Sequence, residues 1–360
     1  MTGAKGPSVV TMPRVLVTGA SGFLGKYVVN ALCAPEVTAG TSSGAHVRAL
    51  VRRPALHLDR LGIQSVLGDI ANESVCTRAL DGIDTVYHLA GLVSRRDEDA
   101  SAMYRVHVDG TRCLLRAAAA ARVRRVIVVS TSGTLAVSVD AQTISREDTP
   151  LRRALVSRWP YYLSKIYQEE TALEIAAATG LDIVILNPSL LLGPGDERSS
   201  STRDVENVVR GRLPVIPRGG GVSFVDVRDV ATMCLAAAER GRKGERYLLG
   251  AANMTLEGFL GRVARLAGRA APRPWVSSSA LLRAGRLLDG LGRLWGGASV
   301  LDRQSVEMAE HYWYLDASKA THELGFAPRD PHITLHDTVR DIEQRHNLRA
   351  RASRQEERSS

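Results

Sequence analysis

The sequence predicts a doubly wound α/β fold, a parallel sheet with helices on both faces, joined to a smaller, mostly helical C-terminal lobe. Three observations carry this. Short apolar and β-branched runs, among them "VLVTG", "VRALVR", "DTVYHLAG" and "RVIVVSTS", alternate with stretches of helical period through the first two-thirds of the chain, a rhythm that gives parallel strands joined by crossover helices. The first strand runs into a turn with glycines three residues apart, Gly19, Gly22 and Gly25, at the head of a helix. Apolar residues make up 44% of a 360-residue chain, enough for one large domain or two ordinary ones.

Taken in order, "VLVTG" is the first strand and a helix begins at about Gly22. Strands follow in "VRALVR", "IQSVLGD" and "DTVYHLAG", a helix spans roughly Tyr104 to Ala121, and "RVIVVSTS" returns to the sheet. The helix "YYLSKIYQEETALEIAAATG" is closed by Gly180, and "LDIVILNPS" is the next strand. Residues 13–190 thus form a Rossmann-type dinucleotide domain. Residues 191–221, rich in Gly, Pro, Ser and charge, read as a substrate-facing stretch containing one helix. Residues 222–250 return to the first domain through "VSFVDV", the helix "RDVATMCLAAAER" and the strand "ERYLLGA", and 251–346 complete the substrate lobe. The ends, 1–12 and 347–360, read as tails without regular structure.

Composition removes several function classes. The net charge of +9 comes from arginines spread along the chain, and with aromatics at 5% there is no clustered basic and aromatic face for nucleic acid. The N-terminus lacks the apolar stretch of a signal peptide and no uninterrupted apolar run is long enough to span a bilayer, so a soluble, cytoplasmic protein is expected. Cys33, Cys76, Cys113 and Cys234 are scattered, which predicts reduced structural thiols and no metal site.

The glycine turn suits a pyrophosphate. Gly19 permits a sharp turn, Gly22 a close backbone approach, and Gly25 tight packing of helix on strand, while the helix N-terminus offers N–H groups and a positive dipole end. The second strand ends in Arg52 and Arg53, where an NAD-preferring domain would place an acidic residue against the ribose diol; a guanidinium there favours the 2′-phosphate of NADP. Asp69, after the third strand, is placed to meet the adenine edge. Further along, Tyr161 and Lys165 lie one helical turn apart on one face. A phenol so placed can give a proton to a carbonyl or take one from an alcohol. Ser132, at the end of a predicted strand, would hydrogen-bond the same substrate oxygen, and Lys165 would also hold ribose hydroxyls.

Glycine loop, arginine, serine and Tyr-x-x-x-Lys come in an order that resembles the extended short-chain dehydrogenase/reductase family, closest to its dihydroflavonol-reductase-like and 3β-hydroxysteroid-dehydrogenase-like members. The resemblance runs through "VLVTGASGFLG", "DTVYHLAG", "VDGTRCLLRAA", "YYLSK", "LNPSLLLGPGD", "VSFVDVRDVA" and "YLDASKATHELGFAP". It implies catalysis by Ser132, Tyr161 and Lys165. It also implies a cofactor held by Gly19, Ser21, Gly22, Phe23, Leu24 and Gly25 at the pyrophosphate and by Arg52, Asp69 and Ile70 at the adenosine. His88, Leu89, Ala90 and Gly91 would run past the nicotinamide ribose, and Asn187, Pro188 and Ser189 would lie near the nicotinamide. One departure is "HVDGT", where His107 stands in place of the family's usual Asn; a buried, satisfied histidine is the expected reading.

Within that family the sequence favours an NADP(H)-dependent reductase, with NAD(H) as the other cofactor, acting on a ketone or aldehyde of an apolar small molecule. Arg52 suggests a diffusible reductant, "NPSLLLGPGD" is apolar where a sugar-nucleotide enzyme would often carry polar groups, and "STSGTLA" lacks a dehydratase's acidic pair. The alternatives are a nucleotide-sugar epimerase or dehydratase that retains NAD, and a cofactor-binding regulator without catalysis. Residues 277–300 form a leucine-rich, arginine-bearing segment that predicts a helix packing its leucines on the C-terminal lobe, with a hydrophobic substrate mouth or a peripheral membrane contact as the alternative, and the resemblance implies a homodimer.

Overall fold

The computed structural model describes residues 14–34, 46–274 and 303–357. In the first half of the chain lie β1 (Arg14–Thr18), α1 (Phe23–Cys33), β2 (His46–Val51), α2 (Leu56–Arg60), β3 (Gln64–Leu67), α3 (Glu73–Leu80), β4 (Thr85–His88), α4 (Ala100–Tyr104), α5 (Thr111–Ala120), β5 (Arg125–Val129), α6 (Arg153–Val156) and α7 (Pro160–Thr179). The second half adds β6 (Ile183–Pro188), β7 (Leu190–Leu192), α8 (Arg203–Val209), β8 (Val215–Ile216), β9 (Gly221–Asp226), α9 (Val227–Arg240), β10 (Arg246–Leu249), β11 (Ala252–Thr255), α10 (Leu256–Leu266), β12 (Arg273–Pro274), α11 (Arg303–Ala309), α12 (Ser318–Leu324) and α13 (Pro331–Glu357).

Seven strands form one sheet in the order β10-β6-β5-β4-β1-β2-β3, every pair parallel. Such a sheet needs cover on both faces, and the strand sequences supply apolar side chains to both. In β1, Val15 and Val17 join a core with Val28 and Val29 of α1 and Val230 and Ala237 of α9. Leu16 between them joins the opposite core with Leu80 of α3, Leu114 of α5 and Ile175 of α7. The strand order reverses between β1 and β4, which opens the crevice where open α/β sheets bind ligands. A third core, with Leu192, Val208, Phe224, Phe259 and Ile342, holds the smaller lobe together.

Three features differ from the sequence-based expectation. The sequence groups β9 with the strands that return to the main sheet, but it pairs with β7 and β11 in a separate three-stranded sheet. The reason is that β10 takes the free edge of β6, with Arg246 opposite Ile185. Secondly, the helix predicted over Tyr104–Ala121 is interrupted by a π-helical turn, Arg105–Gly110, between α4 and α5. Thirdly, α13 continues to Glu357, whereas residues after Asn347 were expected to lack regular structure. "LRARASRQEE" is polar enough to read as a tail, yet it contains no Gly or Pro and is rich in helix formers, so it extends a helix anchored upstream by Leu335, Val339 and Ile342. Residues 1–12 and the 277–300 segment lie outside the described residues. Among those described, no helix is long and apolar enough to cross a membrane.

Candidate functional site

The glycine turn joins β1 to α1 at the switch point. Gly19 has φ +72°, and a Cβ on it would fall 2.7 Å from the backbone of Leu89 and 2.8 Å from the Ala90 nitrogen. The turn is therefore pressed against the segment leaving β4. A Cβ on Gly25 would lie 2.1 Å from the Gly19 carbonyl oxygen, so the third glycine lets α1 start directly beneath the turn. Gly22 caps α1 without any side-chain hydrogen bond, and no acidic residue stands in the first turn. The N–H groups of that turn remain available to an anion.

Arg52 and Arg53 leave β2 as exposed side chains, and β2 is in register with β1 so that Leu50 lies opposite Thr18 at the start of the turn. Asp69 follows β3; its carboxylate accepts from the Ala71 N–H at 2.9 Å and from Arg105 of the π-helical turn at 2.7 Å. Ile70 is buried, and Gly110 leaves room for it, since a Cβ there would meet Ile70 at 2.6 Å. These residues line the β2–β3 side of the crevice, apart from the hydroxyl-bearing groups described next.

Pro160 opens α7 and Gly180, with φ 75°, closes it, so Tyr161 falls in the first turn and Lys165 in the second, both turned to the crevice. Burial pushes the Tyr161 phenol well above its ordinary value, the neighbouring Tyr162 phenol acts in the same direction, and a hydrogen bond from the Thr131 hydroxyl partly offsets both. Lys165 is buried. Its ammonium donates to the Val129 carbonyl at 3.0 Å and to Gln168 Oε1 at 2.8 Å. Desolvation lowers it to about 8 while the Glu169 carboxylate opposes that shift. A Cβ on Gly91 would stand 3.7 Å from Lys165 Nζ and 3.2 Å from His107 Nε2, so the backbone after β4 runs past both groups.

Ser132 is also buried and begins a short 3-10 turn after β5. Thr131, one residue earlier, is the hydroxyl beside Tyr161. Asn187, at the end of β6, turns its amide to this turn, donating to the Thr131 carbonyl at 3.0 Å, to Thr134 Oγ1 at 3.2 Å and to Glu169 Oε1 at 2.7 Å. Glu169 is fully buried and also accepts from Ser130 at 2.5 Å and Thr134 at 2.9 Å. Pro188 ends β6, and the Ser189 N–H donates to the Leu249 carbonyl at 2.8 Å.

Two histidines stand behind the site, both pushed down by burial and then by the Lys165 charge, His88 to about 3 and His107 well below the ordinary range. His107 accepts from the Leu92 N–H at 3.0 Å through Nε2, so its Nδ1–H donates to Ser164 Oγ at 2.8 Å. Both ring nitrogens have partners, which matches the satisfied histidine expected at the "HVDGT" departure. Sequence reasoning overlooked Thr131, Gln168 and Glu169. The signal for the last two was a polar pair on the buried face of α7, three and four residues past Lys165 and so on the same side of the helix.

Beside Tyr161 lies an aromatic cluster built on the buried Trp159. Tyr161 and Tyr162 meet edge to face with centroids 5.1 Å apart, Tyr162 lies 4.9 Å from Trp313, and Trp313 lies 5.7 Å from Trp159. Gly133 admits this stack, because a Cβ there would come within 2.2 Å of the Tyr162 ring. Across the mouth, Arg95 from the segment after β4 grips Asp204 of α8 in a fork at 2.9 and 2.8 Å.

The match to known sequences follows this geometry. The model of the NAD dependent epimerase/dehydratase family matches residues 15–250. The chain belongs to the NAD-dependent epimerase/dehydratase family. Like its relatives in that family it is an NAD(P)-dependent oxidoreductase of the extended short-chain dehydrogenase/reductase type. It is 32% identical to a Synechocystis sp. protein provisionally named dihydroflavonol 4-reductase, over 90% of this chain and 92% of that one. It is also 32% identical to sterol demethylase protein B of Methylococcus capsulatus, over 90% and 96% of the two chains. Among solved structures, that of the protein gox2253 superposes with a TM-score of 0.76 at 29% identity, covering 92% of this chain and 98% of the other.

The residues of this family member fit a nicotinamide dinucleotide. The Gly19–Gly25 turn would hold the pyrophosphate against the head of α1, Arg52 and Asp69 would flank the adenosine, and Lys165 would hold the nicotinamide ribose. Two buried polar atoms at the end of β6, Asn187 Oδ1 and Ser189 Oγ, have no hydrogen-bond partner among the described residues; the pair suits the polar carboxamide of a nicotinamide better than an apolar ligand.

Proposed function

We propose that this chain is an NADP(H)-dependent reductase of a ketone or aldehyde in a rather apolar, ring-bearing small molecule, able to oxidise the corresponding alcohol in reverse. The observation that carries the reading is the half-buried Tyr161 phenol, with Thr131 acting on it and the buried Lys165 one turn away at the strand ends. When bound, the reduced nicotinamide would supply the hydride. Tyr161, held protonated by its surroundings, donates its proton to the carbonyl oxygen. A hydroxyl from the Thr131–Ser132 turn donates a second hydrogen bond to that oxygen and stabilises the charge that develops there. The sequence nominates Ser132 for this role; the position of Thr131 beside the phenol favours Thr131. Lys165 binds the ribose and keeps positive charge near Tyr161.

The half-buried Tyr162 and Trp313 rings, backed by the buried Trp159, support a flat apolar substrate, in keeping with relatives named for a dihydroflavonol and a sterol. Arg52 supports NADP(H) over NAD(H). The test is NADPH oxidation across cyclic ketones, aliphatic aldehydes and nucleotide sugars. Turnover of cyclic ketones supports the reading. Interconversion of nucleotide sugars without net cofactor consumption overturns it in favour of an epimerase, and cofactor binding without turnover of any of them favours a regulator.

A further inference from the structure

Lys165 is tied to the glycine turn by an unbroken line of buried hydrogen bonds. Its ammonium donates to Gln168 Oε1 at 2.8 Å, and Gln168 Nε2 donates to Thr111 Oγ1 at 3.0 Å. Thr111 Oγ1 lies 2.8 Å from His88 Nε2, and His88 Nδ1 lies 2.9 Å from Thr18 Oγ1. Lys165, Gln168, Thr111, His88 and Thr18 are all at most 5% exposed. Each partner's chemistry sets the direction of the bonds. An ammonium only donates, so Gln168 presents its oxygen to Lys165 and its N–H₂ to Thr111. The same Gln168 N–H₂ lies 3.3 Å from His88 Nε2, so that nitrogen is an acceptor and Thr111 gives its proton to it. His88 is then the neutral Nδ1–H tautomer and donates to Thr18, the last residue before Gly19, whose hydroxyl oxygen also receives the Ala90 N–H at 3.2 Å.

We propose that Gln168 is a positioning residue for Lys165: with the Val129 carbonyl it takes two of the three ammonium protons, aims the third into the crevice, and registers the lysine against the glycine turn through Thr111, His88 and Thr18. The inference rests on the cofactor and ribose roles given above to the turn and to Lys165. Its consequence for the proton on Lys165 follows from what faces the ammonium. On its own helix stand Tyr161 and Glu169; His107 faces it from the π-helical turn and His88 from the end of β4; Arg246 of β10 approaches from behind Glu169, at 3.4 Å from that carboxylate. His88 and His107 are neutral and Glu169 is shared among Ser130, Thr134, Asn187 and Arg246, so the neutral amide oxygen of Gln168 is the acceptor that can be altered without removing a charge.

The experiment titrates Lys165 itself. The chain has five lysines, at positions 5, 26, 165, 243 and 319, so ¹³Cε labelling gives few signals, and Lys165→Met identifies the one of interest. Wild type is expected to titrate near 8. Gln168→Met, similar in size but with no oxygen, should lower the midpoint by about one pH unit, and Gln168→Glu should raise it by about as much or more. In kinetics, Gln168→Met should raise KM for the cofactor and move the alkaline limb of kcat/KM to lower pH, with Gln168→Glu moving it the other way. A residue that only filled space would leave both midpoints in place. Superimposable titrations in folded variants overturn the proposal. The wild-type protein offers an independent check, since ¹⁵N shifts of His88 must report the Nδ1–H tautomer; an Nε2–H tautomer breaks the line and overturns it too. None of the titrations needs turnover, so a failure here leaves the reductase reading intact, and turnover persisting in Tyr161→Phe would sink that reading without touching this one.

Discussion

Asn187 at the end of β6 pins the Thr131 carbonyl at 3.0 Å through its side-chain amide, on the turn whose Thr131 side chain draws the Tyr161 phenol back down against its burial. Thr131→Ala is therefore expected to lower kcat for carbonyl reduction about 100-fold, with Thr131→Ser keeping most of the activity and Ser132→Ala losing far less. Steady-state kinetics on the three variants decides the matter. A larger loss in Ser132→Ala would return the role to Ser132.

Removing the proton donor separates chemistry from binding. Tyr161→Phe should cost about 10³ in kcat while NADPH affinity, followed by nucleotide fluorescence, stays close to that of wild type. Turnover at the wild-type rate would take Tyr161 out of the reaction.

The cofactor's phosphate can be tested at one side chain. A guanidinium paired with a 2′-phosphate contributes about 1.5–3 kcal/mol, so Arg52→Ala should raise KM for NADPH about 10- to 100-fold and leave KM for NADH nearly unchanged. Parallel changes for the two nucleotides would place the 2′-phosphate elsewhere or remove the NADP preference.

Gly25 is constrained by space. A methyl group there meets the Gly19 carbonyl oxygen at 2.1 Å, with backbone on both sides and no flexible side chain to yield. Gly25→Ala should lower both Tm and dinucleotide affinity, whereas Gly62→Ala, where nothing lies within 4 Å, should spare dinucleotide affinity and cost only what its φ of +67° imposes.

Acid sensitivity follows from the two buried imidazoles. His88 and His107 both have folded-state values far below 6.5, so below pH 6.5 the unfolded chain takes up protons that the fold refuses. Stability should fall as pH drops from about 6.5 toward 3, by up to about 1.4 kcal/mol per pH unit for each histidine. Lys165 acts at the other end of the scale, with stability rising between about 8 and 10.5 as the unfolded lysine loses its proton. Urea midpoints measured across this range check both; a flat acid limb would mean that the imidazoles are charged in the fold.

The strands of the main sheet were legible because β1, β4, β5 and β6 are apolar on both faces, a pattern that only a covered parallel sheet satisfies. The glycine spacing and Tyr161–Lys165 were legible because each is a local pattern of period three or four. Thr131 was not, since two adjacent hydroxyls differ only in how the turn after β5 is twisted. Nor was the Gln168 line, whose members come from β1, β4, α5 and α7 and meet only after the sheet has formed. The π-helical turn at Arg105–Gly110 leaves no mark in hydrophobic period, and nothing in the pattern of β9 tells that it pairs with β7 and β11 while the later β10 takes the edge of β6.

That edge has a meaning during synthesis. β6 is buried along all six residues, yet its outer neighbour β10 begins at Arg246, 58 residues after Pro188. At ordinary translation rates of about 5–20 residues per second, a ribosome takes about 3–12 s to cover that interval. Throughout it, the nascent sheet carries an apolar strand with an unpaired side, open to chaperones or to a neighbouring nascent chain.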